Sequence, residues 1–240
     1  MLDLITKKKW ALDVYQNNFV GMPISRFWDS LLAYLHIQYT HDPAVIPTTG
    51  KCLVLCNHPS GMVDGVLVGS LVEQIRKDYM FIANKELLFI DQLKDKIFPI
   101  QFSQRFIDQK KNYQSLDHAI RYLNQGHVLI LFPSGEVATS KFIFDQQIEG
   151  QWKMVDQIIK KSPDTTVILL NIQTQSSLLF QAISKIHKKL RMVLMIRELL
   201  HQQNRHIQIT LKTIEQPIPV SHQLRELCIA MRQTMSSKIK

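Results

Sequence analysis

A mixed, mostly parallel α/β sheet flanked by helices is the fold class this sequence predicts, and three observations predict it. Short apolar runs, each too short for a helix, alternate along the chain with stretches of helical periodicity. The apolar runs are bounded by Gly-, Pro- and Asn-containing turns. The 240 residues are 45% apolar and 20% charged, an ordinary globular balance and enough chain for one sizeable core.

The elements follow in order. Residues 23–36 read as an amphipathic helix with Pro23 near its first turn, and Ile24, Phe27, Leu31, Leu32 and Leu35 share one face with Trp28 beside them. Two readings of that face stand open: it packs on the protein's own core, or it dips into lipid headgroups. Residues 51–56 form a short buried strand and 62–77 a helix. Then come a strand at 79–83, a helix at 85–93 and a strand at 97–101. A helix at 115–125 is stopped by Gly126, and 127–132 is a second fully buried strand. A helix at 152–161, a strand at 165–172, a helix at 176–186, a strand at 206–214 and a closing helix at 222–236 complete the pattern. Strands separated by helices imply a sheet covered on both faces, with the chemistry carried by the loops that leave the strand ends. Two regions are expected: an N-terminal helical, membrane-contacting segment over 1–45 and a catalytic domain over 46–240.

Twenty-nine Lys and Arg against 20 Asp and Glu give a formal charge of +9. An excess of this size points to a polyanionic partner, whether nucleic acid, an anionic bilayer or a phosphorylated small molecule. The basic residues are dispersed and show no zinc-finger spacing or aromatic RNA-binding signature, which argues against nucleic acid. Three cysteines, Cys52, Cys56 and Cys228, suit a reducing compartment as small buried hydrophobes. No stretch has the roughly 18 to 20 uninterrupted apolar residues of a spanning helix. Lys7, Lys8 and Lys9 are followed by no apolar signal-peptide core. The expectation is a protein peripheral to the cytoplasmic face of the inner membrane.

Two strand exits concentrate the chemistry. After 51–56 the chain reads Asn57-His58-Pro59-Ser60-Gly61-Met62-Val63-Asp64-Gly65, and after 127–132 it reads Pro133-Ser134-Gly135-Glu136. With a helix starting near Gly61, Asp64 falls in its first turn and can reach back to the His58 imidazole. A carboxylate on one ring nitrogen fixes the tautomer and orients the ring, leaving the other nitrogen to take a proton from an attacking hydroxyl. This is the base-and-orienter half of a triad, sufficient if the substrate brings its own alcohol. On the residues alone, a capping pair that only shapes the turn is the simpler account of His58 and Asp64. A metal site has two ligands and no third nearby. Neither Ser60 nor Ser134 lies in a Gly-x-Ser-x-Gly elbow, which sets a serine hydrolase aside.

Taken together, Asn57-His58-Pro59-Ser60-Gly61-x-x-Asp64-Gly65 and Phe132-Pro133-Ser134-Gly135-Glu136 resemble the lysophospholipid (glycerol-phosphate) acyltransferase superfamily. More narrowly they resemble its lyso-ornithine lipid acyltransferase, or hemolysin-like, branch. Ser177-Leu178-Leu179-Phe180, Arg197-Glu198-Leu199-Leu200 and Pro217-Ile218 extend that likeness to most of the chain. The resemblance implies O-acyl transfer from acyl-carrier protein or acyl-coenzyme A, as co-substrate, to the hydroxyl of a membrane lyso-lipid, with no cofactor and no metal. It implies His58 as base, Asp64 as its partner, and Ser134, Gly135 and Glu136 around the acceptor. Ala83-Asn84-Lys85-Glu86-Leu87 resembles the family block whose Lys contacts an anionic headgroup, and Arg105 matches the Arg that closes it; plain surface charge remains the alternative for both. Five residues separate His58 from Asp64 where the commoner pattern has four, and Ser134 stands where Phe-Pro-Glu-Gly has Glu. The second departure leans toward a lyso-ornithine-type acceptor. A 1-acylglycerol-3-phosphate acyltransferase making phosphatidate is the rival within the enzymes, and a non-catalytic lipid-binding module the rival outside them.

Overall fold

A computed structural model describes residues 7–42, 45–101, 105–135, 137–140, 147–148, 152–186 and 188–236. The helices are α1 (Lys8–Asn18), α2 (Ile24–Tyr34), α3 (Met62–Ile75), α4 (Phe106–Asn124), α5 (Lys153–Lys161), α6 (Leu178–Ile186), α7 (Lys188–His201) and α8 (Ser221–Ser236). The strands are β1 (Gln38–His41), β2 (Cys52–Cys56), β3 (Tyr79–Asn84), β4 (Ile97–Ile100), β5 (Val128–Leu131), β6 (Thr139–Ser140), β7 (Gln147–Ile148), β8 (Thr166–Gln173) and β9 (His206–Ile214).

Seven strands form one sheet in the order β1-β9-β8-β2-β5-β3-β4. All neighbours are parallel except β8 and β9, so the fold is the mixed, mostly parallel α/β sheet that the alternation predicts. The five strands from β8 to β4 therefore end at one common edge. β6 and β7 pair separately as a two-residue antiparallel ladder.

The alternation of side chains along each strand divides the core into two layers. On one face Cys52, Val54, Cys56 and Ile130 pack with Phe27, Trp28 and Leu32 of α2, Leu67 and Leu71 of α3 and Leu199 of α7. On the other, Leu53, Leu55, Leu129 and Leu131 pack with Leu116, Ile120 and Leu123 of α4, Val155 and Ile158 of α5, and Leu224 and Cys228 of α8. Every residue of β2 is fully buried, the continuous apolar run expected of a central parallel strand.

The amphipathic face of α2 lies inside this core: Phe27, Trp28, Leu32 and, just beyond the helix, Leu35 are buried. The Trp28 indole donates to the Tyr79 hydroxyl at 2.7 Å. Its ring lies against Gly69 of α3, where a Cβ would stand 2.5 Å from an indole carbon. The absence of a side chain at 69 is what lets the two helices approach this closely.

Two elements differ from their sequence expectation, and others add to it. Residues 85–93 form two 3₁₀ turns, Lys85–Phe89 and Asp91–Leu93, separated by Ile90 in an extended conformation. The helix expected over 115–125 begins at Phe106. Helices α1 and α7 and strands β1, β6 and β7 add to the predicted set.

Candidate active site

The two motif-bearing turns are neighbours because their strands are. β2 and β5 pair in parallel from Cys52 with Val128 to Leu55 with Leu131, so both chains leave the sheet side by side. The His58 carbonyl accepts the amide hydrogen of Ala138 at 2.7 Å, tying the second turn to the first.

The first turn is organised around one carboxylate. Asp64 is the third residue of α3 and has no exposed surface. Its Oδ2 accepts the backbone amides of Ser60 at 2.9 Å and Gly61 at 2.8 Å. Its Oδ1 accepts the Ser60 hydroxyl at 2.5 Å. The same Oδ2 lies 2.9 Å from His58 Nδ1. With two amide hydrogens already pointing at that oxygen, it is the acceptor and Nδ1 the donor. Nε2 is then the ring's basic nitrogen. The carboxylate is held on three sides before it meets the imidazole, so it fixes the ring rather than following it. The His58 side chain is 17% exposed, and its ring lies on Phe132 with centroids 4.4 Å apart. The base is thus clamped between a carboxylate and an aromatic face at the end of β2.

Gly61 makes the turn sharp. Its backbone sits at φ 89, ψ −123, which favours glycine. A Cβ there would come 2.7 Å from the Met195 Cε of α7. Met195, Val137, Phe180, Leu194 and Ile183 form a small apolar cluster beside the turn.

Asn57 anchors the other side. Its Oδ1 accepts the Ile172 amide at 2.7 Å, and its Nδ2 donates to the Ile172 carbonyl at 3.0 Å and to Asn171 Oδ1 at 2.9 Å. It therefore continues the β2–β8 pairing past the end of β2 and fixes where the chain turns toward His58.

In the second turn, the Gly135 amide donates to the Phe132 carbonyl at 2.9 Å and Gly135 sits at φ 66. That bond closes a four-residue turn. Pro133 has no N–H and the Gly135 amide is engaged within the turn, so neither is a ready donor to an oxyanion. Ser134 is half-buried at the tip. Glu136 lies outside the described residues.

His58, Asp64, Ser134 and Gly135 thus come together on two adjacent turns. Lys85 is exposed at the exit of β3. That strand is two places from β2 in the sheet, roughly 10 Å away at the usual strand spacing. Arg105 begins α4 beyond β4, three places from β2 and about 14 Å away by the same spacing. Its guanidinium is exposed and pairs with Asp108 at 2.8 Å, which raises its pKa. Both cations share the edge with His58 without touching the His58–Asp64 pair.

Ser60 and Asn57 carry structural work that the motif reading passed over. The signal for Ser60 was local: a hydroxyl just ahead of a helix N-cap with Asp three residues into the helix. Asn57's partner is 115 residues away and left no local trace. Among the described residues, no group of three His, Cys, Asp or Glu could hold a metal ion.

The profile of the acyltransferase family matches residues 38–168, which spans β1 to the start of β8 and both turns. Among solved structures, the chain is similar to the 1-acyl-sn-glycerophosphate (LPA) acyltransferase of Thermotoga maritima, with a TM-score of 0.53 and 15% identity over 100% of this chain and 96% of that one. At that identity the likeness is one of fold. No curated protein matches the chain in sequence.

Proposed function

The chain belongs to the acyltransferase family, and on that premise we propose that it moves a fatty acyl group from acyl-carrier protein or acyl-coenzyme A to the hydroxyl of a membrane lyso-lipid. The observation that carries this is the His58 ring, held at Nδ1 by the buried Asp64 carboxylate 2.9 Å away at the end of β2. Nε2 takes the proton of the acceptor hydroxyl as its oxygen attacks the thioester carbonyl. The tetrahedral oxyanion collapses, the carbon–sulfur bond breaks, and the thiolate recovers the proton from the imidazolium. No enzyme nucleophile is required, and Ser60 cannot serve as one because its hydroxyl is buried on Asp64.

Two acceptor classes fit. Ser134 in place of the commoner Glu favours a lyso-ornithine-type lipid, and the acceptor named for the Thermotoga maritima relative favours 1-acylglycerol-3-phosphate. Lys85, Arg105, Ser134, Gly135 and Glu136 are assigned to acceptor binding in either case. No helix among the described residues is long and apolar enough to cross a membrane, and the site is assigned to a peripheral position at the cytoplasmic face of the inner membrane. The test is thiol release from acyl-coenzyme A or acyl-carrier protein with each acceptor in turn. Release that depends on one acceptor and disappears in His58→Ala is the expected result; no release with either donor and any lyso-lipid would leave a lipid-binding module instead.

A further inference from the structure

The first two turns of α4 are built unlike the rest of that helix. From Ser115 onward its buried stripe of Leu116, Ala119, Ile120 and Leu123 lies on the sheet. Before that, the apolar residues point outward: Phe106 is 82% exposed, Ile107 52% and Tyr113 67%. Phe106 lies about 15 Å along the axis from Leu116, at 1.5 Å of rise per residue. Phe89, 57% exposed, stands at the exit of β3, the strand beside β4.

This projecting segment is held in place. Asn112 donates to the Gln101 carbonyl and accepts the Gln101 amide, both at 2.8 Å, which locks the second turn to the end of β4. Charge is arranged around the apolar residues. Lys110 and Lys111 are exposed, one turn from Phe106 and Ile107. The only acidic residue of these turns, Asp108, is 3% exposed and paired with Arg105. An outward aromatic and aliphatic patch with lysines at its rim and no exposed carboxylate on the same turns matches an anionic bilayer surface, where rings enter the headgroup layer and lysines meet lipid phosphates.

We infer that the N-terminal turns of α4 dock the protein on anionic phospholipid bilayers, with Phe106 and Ile107 entering the headgroup layer and Lys110 and Lys111 pairing with lipid phosphates. The segment lies on the sheet edge that carries His58, so docking there turns that edge toward the membrane. The inference deepens the proposed function by naming how the site meets its amphiphilic acceptor, and it rests on that reading for its purpose though not for its geometry.

The experiment is co-sedimentation of the full chain with vesicles of phosphatidylglycerol and phosphatidylcholine, and with phosphatidylcholine alone. The wild type partitions onto the anionic vesicles. Phe106→Ser/Ile107→Ser lowers the partition coefficient by about tenfold or more. Lys110→Glu/Lys111→Glu abolishes the preference for phosphatidylglycerol. Both double variants keep wild-type melting and wild-type thiol release with a short-chain, monomeric acceptor. Undiminished vesicle binding in both variants overturns the inference while leaving the proposed function untouched. A wild-type dimer that Phe106→Ser/Ile107→Ser splits, with vesicle binding unchanged, overturns it in favour of a second copy of the chain. Patch-dependent vesicle binding with no thiol release sustains it and removes the proposed function.

Discussion

The His58 carbonyl and the Ala138 amide meet at 2.7 Å across two turns that are 80 residues apart in sequence. The base is therefore fixed through its backbone by one turn and through its ring by another, with Asp64 below and Phe132 alongside. Substitution at the ring changes chemistry, and substitution at its supports changes geometry.

Replacing the ring is the first test. His58→Ala should lower thiol release by at least about a thousandfold, the upper range for a lost general base, with no change in far-ultraviolet circular dichroism. The readout is clean because Cys52, Cys56 and Cys228 are buried, and burial pushes the Cys52 thiol up to about 12. The released donor thiol is the one a disulfide reagent reports.

Asp64→Asn separates orientation from the base itself. Its carboxylate accepts four hydrogen bonds, and an amide turns an N–H toward one of those donors. Activity should fall about as far as in His58→Ala, and unlike that variant the protein should lose roughly 2–4 kcal/mol of stability in denaturant melts. Wild-type activity in Asp64→Asn would remove the orienting role.

Gly61→Ala strains the turn in two ways, through φ +89 and through the Met195 methyl 2.7 Å from the new Cβ. A cost of about 1–3 kcal/mol is expected, with activity falling as the Ser60 and Gly61 amides leave Asp64. Adding Met195→Ala should recover the steric part and not the backbone part, measurable as a double-mutant cycle.

Asn57→Ala leaves the amide and carbonyl of Ile172 without their side-chain partners in a buried setting. A loss of roughly 2–4 kcal/mol is expected, together with reduced turnover as the end of β2 shifts. Asn57→Asp should lose nearly as much, since a carboxylate cannot donate to the Ile172 carbonyl.

Acid stability reports on the opposite end of the sheet. There the Arg76 guanidinium bonds Asp78, at 2.8 Å from Nε, and also holds the carbonyls of Gly50 and Gly126. Bonding to Arg76 lowers the Asp78 carboxyl from its ordinary 3.8 to about 2. A depressed carboxyl stabilises the fold above its unfolded value, so this contribution is present above 3.8 and is lost as pH falls toward about 2. Melting temperature against pH should drop across that window and be flatter in Asp78→Asn.

Much of this arrangement is readable in the chain. β2 and β5 announce themselves as unbroken apolar runs because both faces of a central strand are covered, and the glycines after them mark the turns. The His58–Asp64 contact follows from a helix starting at Gly61, which puts residue 64 one turn from the loop. The start of α4 is not readable by periodicity: Phe106, Ile107 and Tyr113 face outward, so the apolar stripe that signals a packed helix begins only near Ser115. The reversal at β9 is equally silent, since alternation along a strand does not record its direction. Lys85 and Arg105 come from the motif likeness alone, and the strand order sets them two and three places from β2.

Trp28 and β1 tie α2 and the edge strand into the sheet's own architecture. A truncated chain beginning at residue 46 would lose the edge strand beside β9, the indole that fills the groove over Gly69, and that indole's hydrogen bond to the Tyr79 hydroxyl. Such a fragment should come out of expression insoluble.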